Sequence, residues 1–141
     1  MYKFILFLHI LGALSLGFYV LLPLVIGRLA SLSDAAREGT LSVIRSLNRF
    51  AQYGLILELL TGGYLVSQRE YSVPWMIVVV VLFLIAAGLS GMLGKPLRLA
   101  IEAARNKKGP TAELGKIRMF TVIQAVVVLV ILFFMVFRRI I

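Results

Sequence analysis

Cysteine is absent from the 141 residues and histidine occurs once, at position 9. Disulfides, thiolate metal sites and thiol nucleophiles are therefore closed to this chain, and cysteine usage says nothing of its redox compartment. Charge is scarce as well: 15% of the residues carry one, against about 25% in soluble domains. There is no phosphate-binding glycine loop, no paired-histidine zinc motif and no carboxylate pair of hydrolase character. A nucleophilic enzyme is not expected, and no catalytic residue is assigned.

What fills the space is apolar. Hydrophobic residues make up 61% of the chain and the mean hydropathy is +1.01, which is the composition of a membrane protein. The length suits a single domain over residues 1–141. Four apolar runs, Phe4–Ile26, Phe50–Val66, Trp75–Leu93 and Met119–Phe137, each fall within the roughly 17–25 residues that a spanning helix needs. The first is too long for the apolar part of a signal peptide and is read as a retained helix. The expected fold is all-α: a polytopic membrane protein, an antiparallel four-helix transmembrane bundle with cytoplasmic helical extensions. Leu41, Ile44, Leu47 and Ala51 repeat at helical spacing ahead of the second run, as do Leu97, Ala100, Ile101 and Ala104 after the third, which "NKKGP" at 106–110 then ends.

The net charge of +9 sits in the segments between apolar runs, so it points to lipid headgroups and not to nucleic acid. Arg28, Arg37, Arg45 and Arg49 separate runs one and two. Lys95, Arg98, Arg105, Lys107, Lys108, Lys116 and Arg118 separate runs three and four, leaving only Lys3, Arg69, Arg138 and Arg139 for the other side. That split places both long basic loops in the cytoplasm and both termini outside. Lys95, Arg98, Arg105, Lys107 and Lys108 are the expected contacts for anionic lipid.

Polar side chains within the runs are few. Glu58 lies near the middle of the second run, where an ionised carboxylate is costly, so it should face the interior, be protonated or be paired. Gly54, Glu58, Thr61 and Gly62 share one helical face, on which the glycines admit a close neighbour. His9 begins a face of small residues that continues through Gly12, Ala13, Leu16 and Gly17. Counting residues from the helix ends puts His9 and Glu58 at similar depth, close enough to pair if their faces meet. Met76, Met92 and Met135 are candidate soft ligands. Ala86, Ala87, Ser90, Gly91 and Gly94 form a small-residue face on the third helix, within reach of Gln124. The binding reading makes His9, Gly12, Glu58 and Thr61 the contacts for a haem b or quinone cofactor. The plainer readings are packing residues in a structural or regulatory interaction protein, with a homodimer permitted, and, third, an ion or solute carrier using Glu58.

The stretches "FLHILGAL", "IRSLNRFAQYGLILELLTGGYLV", "PWMIVVVVLFLIAAGLSGMLGKPLRLAIEAA" and "FMVFRR" together resemble a family of small bacterial four-helix integral membrane proteins over nearly the whole chain. At greater distance the layout is similar to copper-resistance D-type membrane domains and to the flavin-free membrane protoporphyrinogen oxidase. The last resemblance implies haem or porphyrin chemistry at a histidine early in helix 1, the place His9 takes, in a bacterial cell membrane. That oxidase also has a lysine near the start of its third helix and a histidine later in it. Here those places read "WMIVV" and "GLSG". Two polar groups of the activity are missing, and the enzyme activity does not carry over.

Overall fold

A computed structural model describes residues 1–109 and 112–139, and these are helical with short links. The order is α1 (Tyr2–Ile26), a single 3-10 turn (Leu29–Ser31), α2 (Asp34–Ser67), α3 (Val73–Met92), α4 (Gly94–Arg105) and α5 (Ala112–Val136). Three stretches are long and apolar enough to cross a membrane: α1, α3 with α4, and α5. The apolar run Phe50–Val66 is the second half of α2. It is the least apolar of the four, because Gln52, Glu58 and Thr61 interrupt it. Glu58 and Thr61 are both turned into the protein.

Local chemistry sets the helix ends. The Ser33 hydroxyl accepts from the Ala36 amide at 3.2 Å to cap α2, and Asp34 puts a negative charge in its first turn. Ser72 caps α3 in the same way, with Pro74 in the first turn, where its missing N–H costs nothing. The α3–α4 break falls at Leu93, whose backbone stays helical. Pro96 cannot donate to the Met92 carbonyl, so one rung of the ladder is lost there. Residues in α4 end at Arg105, and Lys107 and Gly109 follow with φ of 56° and 71°. The "NKKGP" stop thus acts through two left-handed residues, while Pro110 lies outside the described residues.

Residue numbers rise along α1 as they fall along its neighbour: His9 meets Thr61, and Tyr19 meets Asn48. Helix α1 packs on α2 and α5, α3 on α5, and α4 on α2 and α5. The buried face of α2 runs Leu41, Ile44, Asn48, Ala51, Leu55, Glu58, Thr61 and Leu65. Outward, Leu14, Leu24, Leu60, Leu84 and Val126 are exposed, a surface suited to hydrocarbon and not to water.

Several expected placements are corrected. Leu47 is exposed and leaves the α2 stripe. Of the small-residue face on α3, Ala86 and Ser90 are buried, but Ala87 and Gly91 face outward and nothing approaches Gly91 or Gly94. Gly17 likewise has no neighbour within 4 Å. The fourth apolar run starts its helix seven residues early, at Ala112. Arg37, counted with the loop charges, is only 3% exposed. Its guanidinium donates to the carbonyls of Leu29, Ala30 and Leu32 and pairs with Asp34 at 2.8 Å. It closes the α1–α2 connection by donating to the Ala30 and Leu32 carbonyls and adding a second donor to that of Leu29, which also accepts from the Leu32 amide.

Candidate ligand site between the helices

The four residues expected to form a site come together. Thr61 donates its hydroxyl proton back to the Leu57 carbonyl at 2.7 Å, which leaves the oxygen lone pairs for a neighbour. His9 Nδ1 lies 3.0 Å from that oxygen, so Nδ1–H donates and the neutral ring keeps its free lone pair on Nε2. Glu58 Oε1 stands 3.5 Å from the same Nδ1. This oxygen is buried and has no hydrogen-bond partner among the described residues.

Glycine makes the approach possible. A Cβ on Gly12 would stand 2.5 Å from Glu58 Oε1 and 3.1 Å from its Cγ, so any side chain there would expel the carboxyl group. Gly54 performs the same service for Ser15, whose hydroxyl is folded back on the Gly12 carbonyl at 2.6 Å. A Cβ on Gly62 would rest 3.5 Å from the His9 ring. The expectation that the glycines of this α2 face admit a close helix therefore holds at Gly54.

Beside the His9–Glu58 pair a partly open cavity of about 220 Å³ runs between α1, α2, α3 and α5. Leu16, Leu59, Trp75, Val79, Phe83 and Ile131 give it apolar walls, and His9 and Glu58 supply polar groups. Met76 and Met135 line it too, whereas Met92 is 55% exposed elsewhere. No three metal-ligating histidine, cysteine or carboxylate side chains cluster among the described residues. Chemically, Nε2 can accept a hydrogen bond or proton, or take a metal. Glu58 can then balance a charge on the ring from the Nδ1 side, as carboxylates do behind ligating or proton-accepting histidines.

A second buried polar group was not foreseen from the sequence. The Tyr19 hydroxyl lies 2.7 Å from both Asn48 Oδ1 and Ser90 Oγ. Ser90 Oγ in turn lies 3.3 Å from Asn48 Oδ1, an amide oxygen that can only accept, so the two hydroxyls supply the protons of this triangle. The Asn48 and Gln52 amides both donate to the Ser90 carbonyl, and Gln124 donates to that of Ala86 at 2.9 Å, the cross-helix bond expected of it. This layer ties α1, α2, α3 and α5 together, and within it Gln124 Oε1 is buried with no hydrogen-bond partner among the described residues. The available signal was the period of α2: Asn48 falls in register with Leu41, Ile44, Ala51 and Leu55.

Lys95, Arg98, Arg105, Lys107 and Lys108 are all exposed at the α4 end. Arg105 is not wholly free for lipid, because its Nε donates to Glu38 at 3.0 Å and links α4 to α2. The opposite, apolar face of α4 is buried through Leu97, Ala100, Ile101 and Ala104.

No family model, no curated protein and no solved structure matches this chain. The functional reading therefore rests on the site.

Proposed function

We propose that this is a small integral membrane protein, an antiparallel four-helix bundle that holds a lipophilic quinone-like or haem-like cofactor through His9, with Glu58 as its charge and proton partner. In this reading α2 is the fourth spanning element, its polar side chains covered by α1. Both termini lie outside a bacterial cell membrane. The basic stretches around Arg45, in α4 and at the start of α5 lie on the cytoplasmic side and meet anionic lipid. The single observation that carries the cofactor reading is a histidine held at Nδ1 by Thr61, lining an apolar cavity together with a buried carboxyl residue, Glu58. Apolar pockets with a few convergent polar groups are where ligands bind.

The size of the cavity favours a quinol-type head over a macrocycle. At about 220 Å³ it lies below the roughly 300–1,000 Å³ of pockets for drug-sized ligands. It suits one ring whose hydroxyl donates to Nε2. Met76 and Met135 line the same cavity as His9, and a thioether with an imidazole would supply ligands for a haem iron. An absorption spectrum of the purified protein, with solvent extraction of quinone from the same sample, separates the two. A Soret band identifies haem, and extracted quinone near one per chain identifies the first. A colourless, quinone-free protein that takes up neither added compound would leave the second reading, a non-catalytic interaction protein. The feature in favour of that reading is the outward strip of Ala87, Gly88 and Gly91 on α3, small residues that suit close contact with another helix, including that of a second copy.

A further inference from the structure

Three arginines run against the charge split used for orientation: Arg69 in the α2–α3 link, and Arg138 and Arg139 just after α5. They converge. Together with Glu70, Tyr71 and Ser72 they line a polar cleft of about 370 Å³. Arg138 Nη1 donates to the Tyr71 hydroxyl at 3.1 Å and its guanidinium sits 5.6 Å from the Tyr71 ring centre. Arg69 rests over the Tyr2 ring at 5.5 Å, so Arg69 and Arg138 are both held on an aromatic ring. Among the described residues Glu70 is the one acidic side chain in the cleft, and three guanidinium groups outweigh it. None of these arginines lines the His9 cavity.

The surroundings identify the anion. Tyr71 stacks on Trp75 at 4.8 Å, and the Trp75 indole donates to the Phe134 carbonyl at 2.8 Å, pinning the start of α3 to the end of α5. Amphipathic aromatics of this kind mark the headgroup level of a bilayer. Directly along the two helices from the cleft, Val73, Ile77, Phe133, Val136 and Phe137 are exposed, an apolar flank that an acyl chain can cover. We propose that Arg69, Arg138 and Arg139 form an oxyanion site for the phosphate of an anionic membrane phospholipid, one whose headgroup carries no ammonium to neutralise it, with its chains along the exposed ends of α3 and α5. Guanidinium forks match phosphate oxygens in pairs, and the charge at this end serves lipid capture. The site does not depend on the His9 reading.

Trp75 is the only tryptophan in the chain, which gives a local probe. The full-length protein is placed in nanodiscs containing phosphatidylglycerol or phosphatidylcholine with brominated chains, and quenching of Trp75 is measured at equal mole fractions. Brominated phosphatidylglycerol is expected to bind about five-fold or more tightly relative to phosphatidylcholine, the factor that one basic residue near an anionic surface supplies. R69Q, and separately R138Q/R139Q, should bring the ratio close to one, while K107Q/K108Q at the far end of the molecule leaves it unchanged. Equal quenching by the two lipids in the unaltered protein, or a preference that survives both R69Q and R138Q/R139Q, overturns the proposal. Inorganic phosphate distinguishes the source: displacement of the brominated lipid by dilute phosphate would make this a site for the free anion and would equally overturn it. R69Q removes only an aromatic contact, so it keeps the test valid if the double variant does not fold.

Discussion

At the scale of single residues, the His9 ring is held at Nδ1. The Thr61 proton is spent on Leu57, and the Thr61 oxygen accepts from Nδ1–H. The consequence for mutation is an asymmetry. His9→Ala should abolish ligand binding, whereas Glu58→Gln, which keeps shape while removing the titratable group, should retain the ligand and flatten the dependence of binding on pH. If His9 served packing alone, the alanine variant would lose about 1–3 kcal/mol of stability from a lost buried hydrogen bond and a small cavity, with binding of added quinone or haem unaltered. Titration of each variant, followed by absorbance for haem or by extraction for quinone, decides between these outcomes. The pairing itself was legible in the sequence, since counting residues along two helices from their ends fixes depth, and both residues share faces with glycine. The bond to Thr61 was not, because i, i+4 back-bonding of a threonine depends on its rotamer, which one sequence does not reveal.

Between elements, contact is governed by what glycine leaves out. A Cβ on Gly54 would run into Ser15, while Gly63, nine residues on in the same helix, is exposed with nothing within 4 Å. Gly63→Ala should therefore be neutral or stabilising by up to about 1 kcal/mol, the gain in helix propensity. Gly54→Ala meets the same gain but forces α1 away, and should fall about 1–3 kcal/mol below Gly63→Ala, as overpacking does. Thermal unfolding of the two variants in one detergent gives the difference, and equal melting temperatures would mean that α1 and α2 are not in close contact. Elements were legible where periodicity marked them: the α2 extension before the second apolar run, and α4 with its buried Leu97, Ala100, Ile101 and Ala104. Arg37 was hidden because a basic residue in a link reads as solvated charge. Its burial follows from the shape of the turn, which points three carbonyls at one place, and composition carries no trace of that. Tyr19, Asn48 and Ser90 were hidden for a related reason. Each is ordinary alone, and only the meeting of three helices makes them a network.

For the whole molecule the open question is orientation, and the structure changes how the charges bear on it. Arg37 is a buried clamp and Arg105 is paired with Glu38, so neither is a free loop charge. Arg69, Arg138 and Arg139 gather in one cleft at the opposite end. The remaining basic residues of the long links, Arg28, Arg45, Arg49, Lys95, Arg98, Lys107, Lys108, Lys116 and Arg118, are exposed and still outnumber those beside the termini, so the positive-inside rule gives the same answer. The absence of cysteine makes the test clean, because any introduced thiol is the only one present. Arg37 is unsuitable as a labelling position, since replacing it removes the guanidinium that donates to the Leu29, Ala30 and Leu32 carbonyls. Its neighbour Ala35 is exposed and has no such duty. With both termini outside, Ala35→Cys and Lys107→Cys should resist an impermeant maleimide in intact cells and react after permeabilisation, while Gln68→Cys should react in both. Labelling of position 35 or 107 in intact cells, with position 68 protected, would invert the molecule. The cleft of three arginines would then face the anionic inner leaflet, with the α4 basic face outside.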